Sequence, residues 1–268
     1  MAGNVVTEDS CVWVYAVADD AAPAFTGGPI GVGGAGARPL GAAGLMAVVG
    51  SVARSEFGEA ALRQNLEDLD WLERTARAHH EVIETVAKER SVVPMRLATV
   101  YSSDEAVAGM LRERADDLRQ ALARLTGRSE WGVKGYVAKP DDSAAGQPPE
   151  TGDQASGPGA AYLRRRRAQL AASQDARQQA VASAQAVHAE LDRLSASARL
   201  YPPQAPEIAG HAGVMVLNAA YLVADDRAGE FGAAVTELAA RHRALQVTLT
   251  GPWPAYSFVG QDETGDAR

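Results

Sequence analysis

Cysteine is almost absent from this sequence of 268 residues: Cys11 is alone, so no disulfide can form within the chain. A single cysteine is typical of a protein from a reducing compartment. Long apolar runs are missing too, since no stretch of 18 or more apolar residues occurs, and no basic segment with an apolar core follows Met1. We therefore expect neither a membrane span nor a signal peptide, and the sequence predicts a soluble, cytoplasmic protein.

Positive charge is also scarce, with 26 Lys and Arg against 34 Asp and Glu and a formal net charge of −8. Because neutralising phosphates requires a basic face, this balance argues against nucleic acid as a principal partner. The length exceeds the usual size of one domain, and 46% hydrophobic residues can fill two cores. Two domains are expected.

Reactive groups are few. Of the five histidines only His79 and His80 are adjacent, and neighbours on a helix point in different directions, so they cannot share a metal ion. HExxH, CxxC and GxSxG motifs are all absent. The sequence thus predicts no metal, no cofactor and no catalytic residues, and an enzyme is not expected.

One glycine-rich segment, Gly31 to Gly36 (GVGGAG), formally matches the dinucleotide-binding pattern GxGxxG. That pattern requires a strand immediately before it and a helix that opens at the third glycine. Here the preceding strand ends near Ala18, and Arg38-Pro39 does not begin a helix. We interpret the segment as a loop.

Hydrophobic periodicity predicts an N-terminal α+β domain over residues 1–138, with the order β-β-α-β-α-β. Its first helix follows an apolar stripe from Leu62 to Val86. Its second helix follows a stripe from Val107 to Leu125, with Ser102 and Glu105 as a capping box before it and Gly127 as its C-terminal stop. Its strands are expected at Val12–Ala18, Leu45–Val52, Ser91–Tyr101 and Glu130–Val137. Residues 139–159 are rich in Pro, Gly and Ser and are predicted to form a flexible linker.

The C-terminal domain is expected over residues 160–268. It begins with a polar helix from Ala160 to Arg199, which buries a narrow stripe and either projects or bridges the domains. A strand that is apolar on both faces follows at Val214–Val223. A helix capped by Asp225 or Asp226 and a last strand complete a unit that resembles half or more of a ferredoxin-like sandwich.

Some polar residues have more than one interpretation. Arg96 and Asn218 lie inside predicted strands, where we expect each to tie its strand to a neighbouring backbone or carboxylate group. The run from Arg164 to Arg167 fans around a helix. A solvated face is the simplest account of it, and docking to an acidic partner or nucleic acid are the alternatives.

The chain ends its last strand in LTGPWPAYSF, Leu249 to Phe258. Pro252 and Pro254 fix φ and extend the residue before each, so the aromatic side chains lie on a stiff segment. This tail is either a clamp that seals a domain seam or a rod that binds a partner.

Several sequence blocks together resemble the gas vesicle protein GvpL/GvpF family: GPWPAYSF, VLNAAYLV, WGVKGYV, VPMRLATVY and GAAYLRRRR. With NLEDLDWLERTARAHHEVIE, the resemblance extends over about Val12 to Phe258. Two positions depart from the family pattern. Pro254-Ala255 replaces a pair of prolines before Tyr256, and Leu97-Ala98 replaces an aromatic residue and a glycine.

The resemblance implies two α+β domains, the second a modified ferredoxin-like fold, in an accessory protein of gas vesicle formation. Such proteins are minor vesicle components, expected to bind the small hydrophobic shell protein and other accessory proteins during nucleation and growth. The resemblance brings no catalytic residue and no cofactor. It marks as candidates for partner binding or a domain seam Arg96, Trp131, Tyr162, Asn218, Tyr221, Trp253, Tyr256 and Phe258.

We therefore predict a non-enzymatic assembly factor of the gas vesicle. The alternative is a ferredoxin-like regulatory module that senses a small ligand, which needs a concave pocket with convergent polar groups. An enzyme comes third and would need an ionisable group with a strongly shifted pKa in a cleft.

Overall fold

The computed structural model describes residues 9–20, 28–137, 158–205 and 213–260. The chain forms two compact units. Unit 1 comprises the described residues of Met1–Glu130 and Pro252–Arg268, and unit 2 those of Trp131–Gly251. The tail from Pro252 onward thus groups with unit 1, whereas the sequence placed it in the C-terminal domain. The predicted linker lies outside the described residues up to position 157.

An antiparallel five-stranded sheet forms the centre of unit 1. Strand β1 (Ser10–Asp19) pairs with β3 (Leu45–Ala53) on one side and with β4 (Val92–Pro94) and β5 (Val100–Tyr101) on the other. Every residue of β1 from Cys11 to Ala18 is buried. This apolar run therefore forms the middle of the core, as its β-branched and aromatic composition favours.

The sequence predicted no strand between Val12–Ala18 and Leu45–Val52, which is wrong, because the structure has β2 (Arg38–Ala42) there. It pairs with β3 through a two-residue turn at Ala43-Gly44, where both φ angles are positive, at 54° and 69°. Such a turn matches the twist of the paired strands. The glycine-rich segment contains a single 3₁₀ turn at Val32–Gly34 and no long helix, as expected.

The described residues of unit 1 also contain five helices: α1 (Arg54–Phe57), α2 (Glu59–Asn65), α3 (Leu69–Ala87), α4 (Asp104–Glu113) and α5 (Ala115–Leu125). The single helix predicted across residues 62–86 is broken before α3, because Asp68 caps α3 by accepting from Asp70 N and Trp71 N. The cap of α4 is Ser103, one residue after the predicted Ser102. Gly127, with φ 67°, follows the end of α5 as predicted.

The predicted third strand, Ser91–Tyr101, is interrupted. Strand β4 ends at Pro94, and the chain turns at Ala98, whose φ is 64°, before β5 begins. Thr99 closes this turn by donating from its N–H and its hydroxyl to Arg96 O. Arg96 is therefore exposed in a turn rather than held within a strand, and that expectation is corrected.

The second sheet has the order β7-β8-β6-β9. Its strands are β6 (Arg128–Val137), β7 (Ser197–Leu200), β8 (Met215–Ala224) and β9 (Leu245–Trp253). Strand β6 was predicted to complete the N-terminal domain, and this assignment is wrong because β6 pairs in the second sheet. Strand β7 was not predicted at all, since the sequence placed Arg199 in the preceding helix.

In the part of unit 2 that the structure describes, two helices accompany the sheet: α6 (Pro158–Leu194) and α7 (Ala228–Arg241). The predicted caps Asp225 and Asp226 instead lie in a 3₁₀ turn that precedes α7. The core of unit 2 contains Val187 and Leu191 of α6 together with Tyr221 of β8. Within the described residues, no helix is both long enough and apolar enough to cross a bilayer.

Candidate functional site

The aromatic tail is anchored on unit 1 by a set of residues that we call the tail cluster: His80, Glu130, Trp253, Tyr256 and Phe258. His80, on α3, packs against the rings of Trp253 and Tyr256, with ring centroids 5.5 and 5.8 Å away. The Tyr256 hydroxyl and His80 Nδ1 are hydrogen-bonded at 2.9 Å. A single histidine therefore holds both exposed aromatic residues of the tail.

Polar bonds fix the backbone around this aromatic contact. Glu130 accepts from Ser257 N at 2.7 Å and from the Ser257 hydroxyl at 2.6 Å. Arg124 donates to the carbonyl oxygens of Phe258 and Val259. Bonds to charged groups are the stronger kind, so the middle and the C-terminal end of the short 3₁₀ turn at Tyr256–Phe258 are held.

Burial divides the tail into an anchor and an exposed surface. Phe258 is only 3% exposed, whereas Trp253 is 41% exposed. Tyr256 remains protonated well beyond neutral pH, because burial, followed by the negative charges of Glu130 and Glu84, raises its pKa. The cluster thus presents neutral aromatic surface on a fixed backbone.

The second histidine of the pair, His79, lies in the core of unit 1. Trp13 Nε1 donates to His79 Nδ1 at 2.9 Å, and His79 Nε2 donates to Met95 O at 3.1 Å, which fixes the tautomer. The ring stacks on Tyr15. Burial lowers the pKa of His79 to about 4, so this histidine is neutral and fully hydrogen-bonded.

An aromatic group also lies in unit 2, where Tyr221 of β8 contacts Phe231, with ring centroids 5.5 Å apart. The Tyr221 hydroxyl and His188 Nδ1 are 2.9 Å apart, and Trp131 packs on the other side of Phe231. Tyr221 is fully buried, and burial raises its pKa. These contacts are those of a core.

The structure does not bring the predicted candidates into one site. Trp253, Tyr256 and Phe258 meet in the tail cluster, and Trp131 and Tyr221 meet in the core of unit 2. The others lie apart from both sets: Arg96 is exposed in its turn, Tyr162 is exposed on α6, and Asn218 donates from Nδ2 to Pro202 O at 3.1 Å.

Three residues of the tail region were not among the candidates, namely His80, Glu130 and Arg124. A sequence signal exists for His80, because it directly follows His79 on the apolar stripe of α3 and so lies at the edge of the buried face. Glu130 and Arg124 are more than 120 residues from their tail partners. Local spacing gives no signal for such pairs.

Three further features bear on whether the described residues could bind a metal ion, bind a small ligand or react: groups of possible metal ligands, a concave space and the single cysteine. Within the described ranges, no group of three or more His, Cys, Asp or Glu is arranged to hold a metal ion. A concave space of about 480 Å³ in unit 1 is lined mainly by Arg90, Arg119, Leu122 and Thr126. Cys11 is buried, and burial raises its pKa, which leaves its thiol protonated.

The chain is a mixed α+β protein, because it has two antiparallel sheets with helices beside them. Its aromatic tail belongs to unit 1. Comparison with known proteins gives the family. The model of the family described as "Gas vesicle synthesis protein GvpL/GvpF" matches residues 11–260, and the chain belongs to this family.

Individual relatives agree with the family match. Gas vesicle protein L of a Streptomyces species is 38% identical over 255 residues, which is 95% of each chain. Gas vesicle protein F2 of Halobacterium salinarum is 27% identical over 72% of this chain and 71% of its own. These names support a role in gas vesicles, as the sequence predicted.

Solved structures are similar in fold. The crystal structure of GvpF from Anabaena sp. PCC7120 matches with a TM-score of 0.65 at 18% identity, covering 97% of this chain and all of that one. GvpF from Microcystis aeruginosa matches with a TM-score of 0.62 at 16% identity, covering 94% and 99%. At this identity the match defines the fold alone.

Proposed function

We propose that this protein is a non-enzymatic accessory factor of gas vesicle assembly. In this proposal it binds the small hydrophobic shell protein and other accessory proteins while the vesicle nucleates and grows, and remains as a minor vesicle component. The observation that carries the proposal is the match to the gas vesicle family over residues 11–260. The neutral tautomer of His79 and the protonated thiol of Cys11 agree with it, because neither group is poised for proton transfer or attack.

A hydrophobic shell protein exposes apolar surface before it polymerises, and a rigid aromatic surface can cover it. The tail cluster supports this role, because Trp253 and Tyr256 are exposed while Glu130 and Arg124 hold the backbone that follows them, at Ser257 and Phe258. A surface that is already ordered loses little entropy on binding. We therefore place the shell-protein contact at the tail cluster.

We also propose that unit 2 is a modified ferredoxin-like domain. Its described elements follow the order β-α-β-β-α-β, and its strands are arranged β7-β8-β6-β9. Such sheets offer edge strands, here β7 and β9, to which other accessory proteins can add a strand.

Co-expression with the shell protein tests the binding function. We expect more shell protein in the soluble fraction when this chain is present, and co-purification of the two. The tail is tested by Trp253→Ser, which should lower the co-purified shell protein about tenfold or more, as for a buried aromatic anchor. The control Leu200→Ser removes an apolar side chain of unit 2 that is more exposed than Trp253, at 60% against 41%, and should leave binding intact.

The outcomes separate the two claims. If the shell protein is equally soluble with and without this chain, and the two never co-purify, the function proposed here is wrong. If they co-purify but Trp253→Ser binds as well as the control, the function stands and the tail is not the contact surface.

A further inference from the structure

The first half of α6 is a helix whose described side chains are almost all exposed. Among the described side chains of residues 162–179, which we call the arm, all are exposed except the half-buried Ala176, and burial begins only at Ala180. At 1.5 Å per residue the arm extends for about 27 Å. An isolated helix of this length is marginally stable in water, since most helices depend on packing of one face.

One face of the arm combines apolar and basic side chains. Leu163, Arg166, Arg167 and Leu170 follow the spacing i, i+3, i+4, i+7, which places them on the same side of the helix. The two leucines are 56% and 50% exposed. The arm contains five arginines and one acidic residue, Asp175, in a chain of net charge −8. Like charges at these spacings repel, so an acidic, apolar surface would stabilise the arm.

Unit 1 carries a surface of that kind at residues 66–70, between α2 and α3, which we call the corner. Leu66 is exposed and Leu69 is 77% exposed. Glu67, Asp68 and Asp70 surround them and are exposed. The Asp68 carboxylate caps α3. Neither Glu67 nor Asp70 has an ion-pair partner among the described residues.

We propose that the arm of one copy of this chain docks on the corner of a second copy. Leu163 and Leu170 then cover Leu66 and Leu69, and Arg166 and Arg167 face Glu67 and Asp70. Pairing of two arms is disfavoured because both are strongly basic. Each copy has one arm and one corner, so the contact is head-to-tail and can propagate to further copies. This self-association goes beyond the proposed binding of the shell protein and can be tested without it.

Sedimentation of the full chain at protein concentrations from about 1 to about 500 μM, a range suited to weak association, is the first measurement. We expect the average mass to rise with concentration at about 50 mM salt and to fall back towards the monomer at about 500 mM, where exposed charges are screened. Association should weaken at least fivefold between these conditions.

Charge reversal identifies the surfaces. Arg166→Glu with Arg167→Glu should abolish association, and so should Glu67→Lys with Asp70→Lys. A chain that carries all four changes should associate again, because the complementarity is restored with inverted sign. Matched controls change the same charge on exposed residues elsewhere and should associate as the parent does: Arg193→Glu with Arg243→Glu, and Glu113→Lys with Asp225→Lys.

Circular dichroism accompanies each variant, so that loss of association is not confused with unfolding. A chain that stays monomeric at every concentration overturns the proposal. Association that survives either reversal, or that the fourfold change does not restore, also overturns it. So does a salt effect that is independent of protein concentration, because that result indicates docking within one chain.

Discussion

His79 shows how one buried residue links the stability of unit 1 to pH. Its ring accepts from Trp13 and donates to Met95 O, an arrangement that only the neutral imidazole can make. Protonation would place a second donor against the Trp13 N–H in the core. Burial accordingly lowers the pKa to about 4 from the ordinary 6.5.

We therefore expect unit 1 to lose stability as the pH falls from about 6.5 to about 4, because the unfolded chain binds a proton there that the folded chain does not. The change should total about 3 kcal/mol, from 1.36 kcal/mol per pKa unit. Urea titrations at several pH values measure it. His79→Gln should remove most of this slope, and the control His80→Gln should retain it. An unchanged slope in His79→Gln would assign the effect to another group.

Ala98 is a second residue with a measurable consequence, because its φ of 64° is in the left-handed region that favours glycine. Ala98→Gly should raise the free energy of unfolding by about 0.5–1 kcal/mol by relieving this conformation. Ala53→Gly is the control and should lower the free energy of unfolding. Ala53 has φ −67°, so glycine relieves no strain there and only adds entropy to the unfolded chain. A loss of stability in Ala98→Gly would show that its side chain packs favourably.

At the residue scale, the sequence predicted that His79 and His80 point apart, and they do: one is in the core and the other holds the tail. It did not predict which histidine had which role, because burial depends on where α3 meets β1. Arg96 was misplaced for a related reason. A local pattern of apolar residues cannot show that the backbone turns at Ala98.

At the element scale, the tail cluster predicts unequal roles for two aromatic residues five positions apart. Phe258→Ala should lower the stability of unit 1 by about 3 kcal/mol, the usual cost of a cavity at a buried phenylalanine. Trp253→Ala should cost well under half as much, because 41% of that side chain is exposed already. Chemical denaturation of both variants makes the comparison. Equal losses would contradict the division into anchor and exposed surface.

Long, periodic elements were predictable, as β1, β3 and β8 show, although the one helix predicted from Val107 to Leu125 is two, α4 and α5. Short ones were not: β2 and β7 have five and four residues and contain Arg, Pro, Gly or Ser instead of a run of β-branched residues. The break before α3 was missed because the leucine spacing continues across Asp68. The assignment of β6 to the N-terminal domain was also wrong, because strand pairing depends on contacts between residues that are distant in sequence.

At the scale of the whole molecule, unit 1 is built from two segments of the chain that are separated in sequence by all of unit 2, Trp131–Gly251. The second segment is short but contributes a buried phenylalanine and several hydrogen bonds. Unit 1 therefore cannot be complete until the C-terminal tail has been made and has docked. Its folding depends on contacts of high sequence separation, which form late and slowly.

A chain that ends after Gly251 tests this dependence. It lacks Phe258 and the acceptors of Arg124, so amides of α3 should exchange at least about tenfold faster, as a loss of about 1.4 kcal/mol or more requires. Amides of β8 in unit 2 should be unchanged. Hydrogen exchange followed by mass spectrometry resolves both regions in one sample, and a chain that ends after Gly260 is the control, since it keeps the whole tail cluster. Equal acceleration in α3 and β8 would mean that the tail stabilises the entire molecule, and no acceleration in α3 would mean that unit 1 is complete without it.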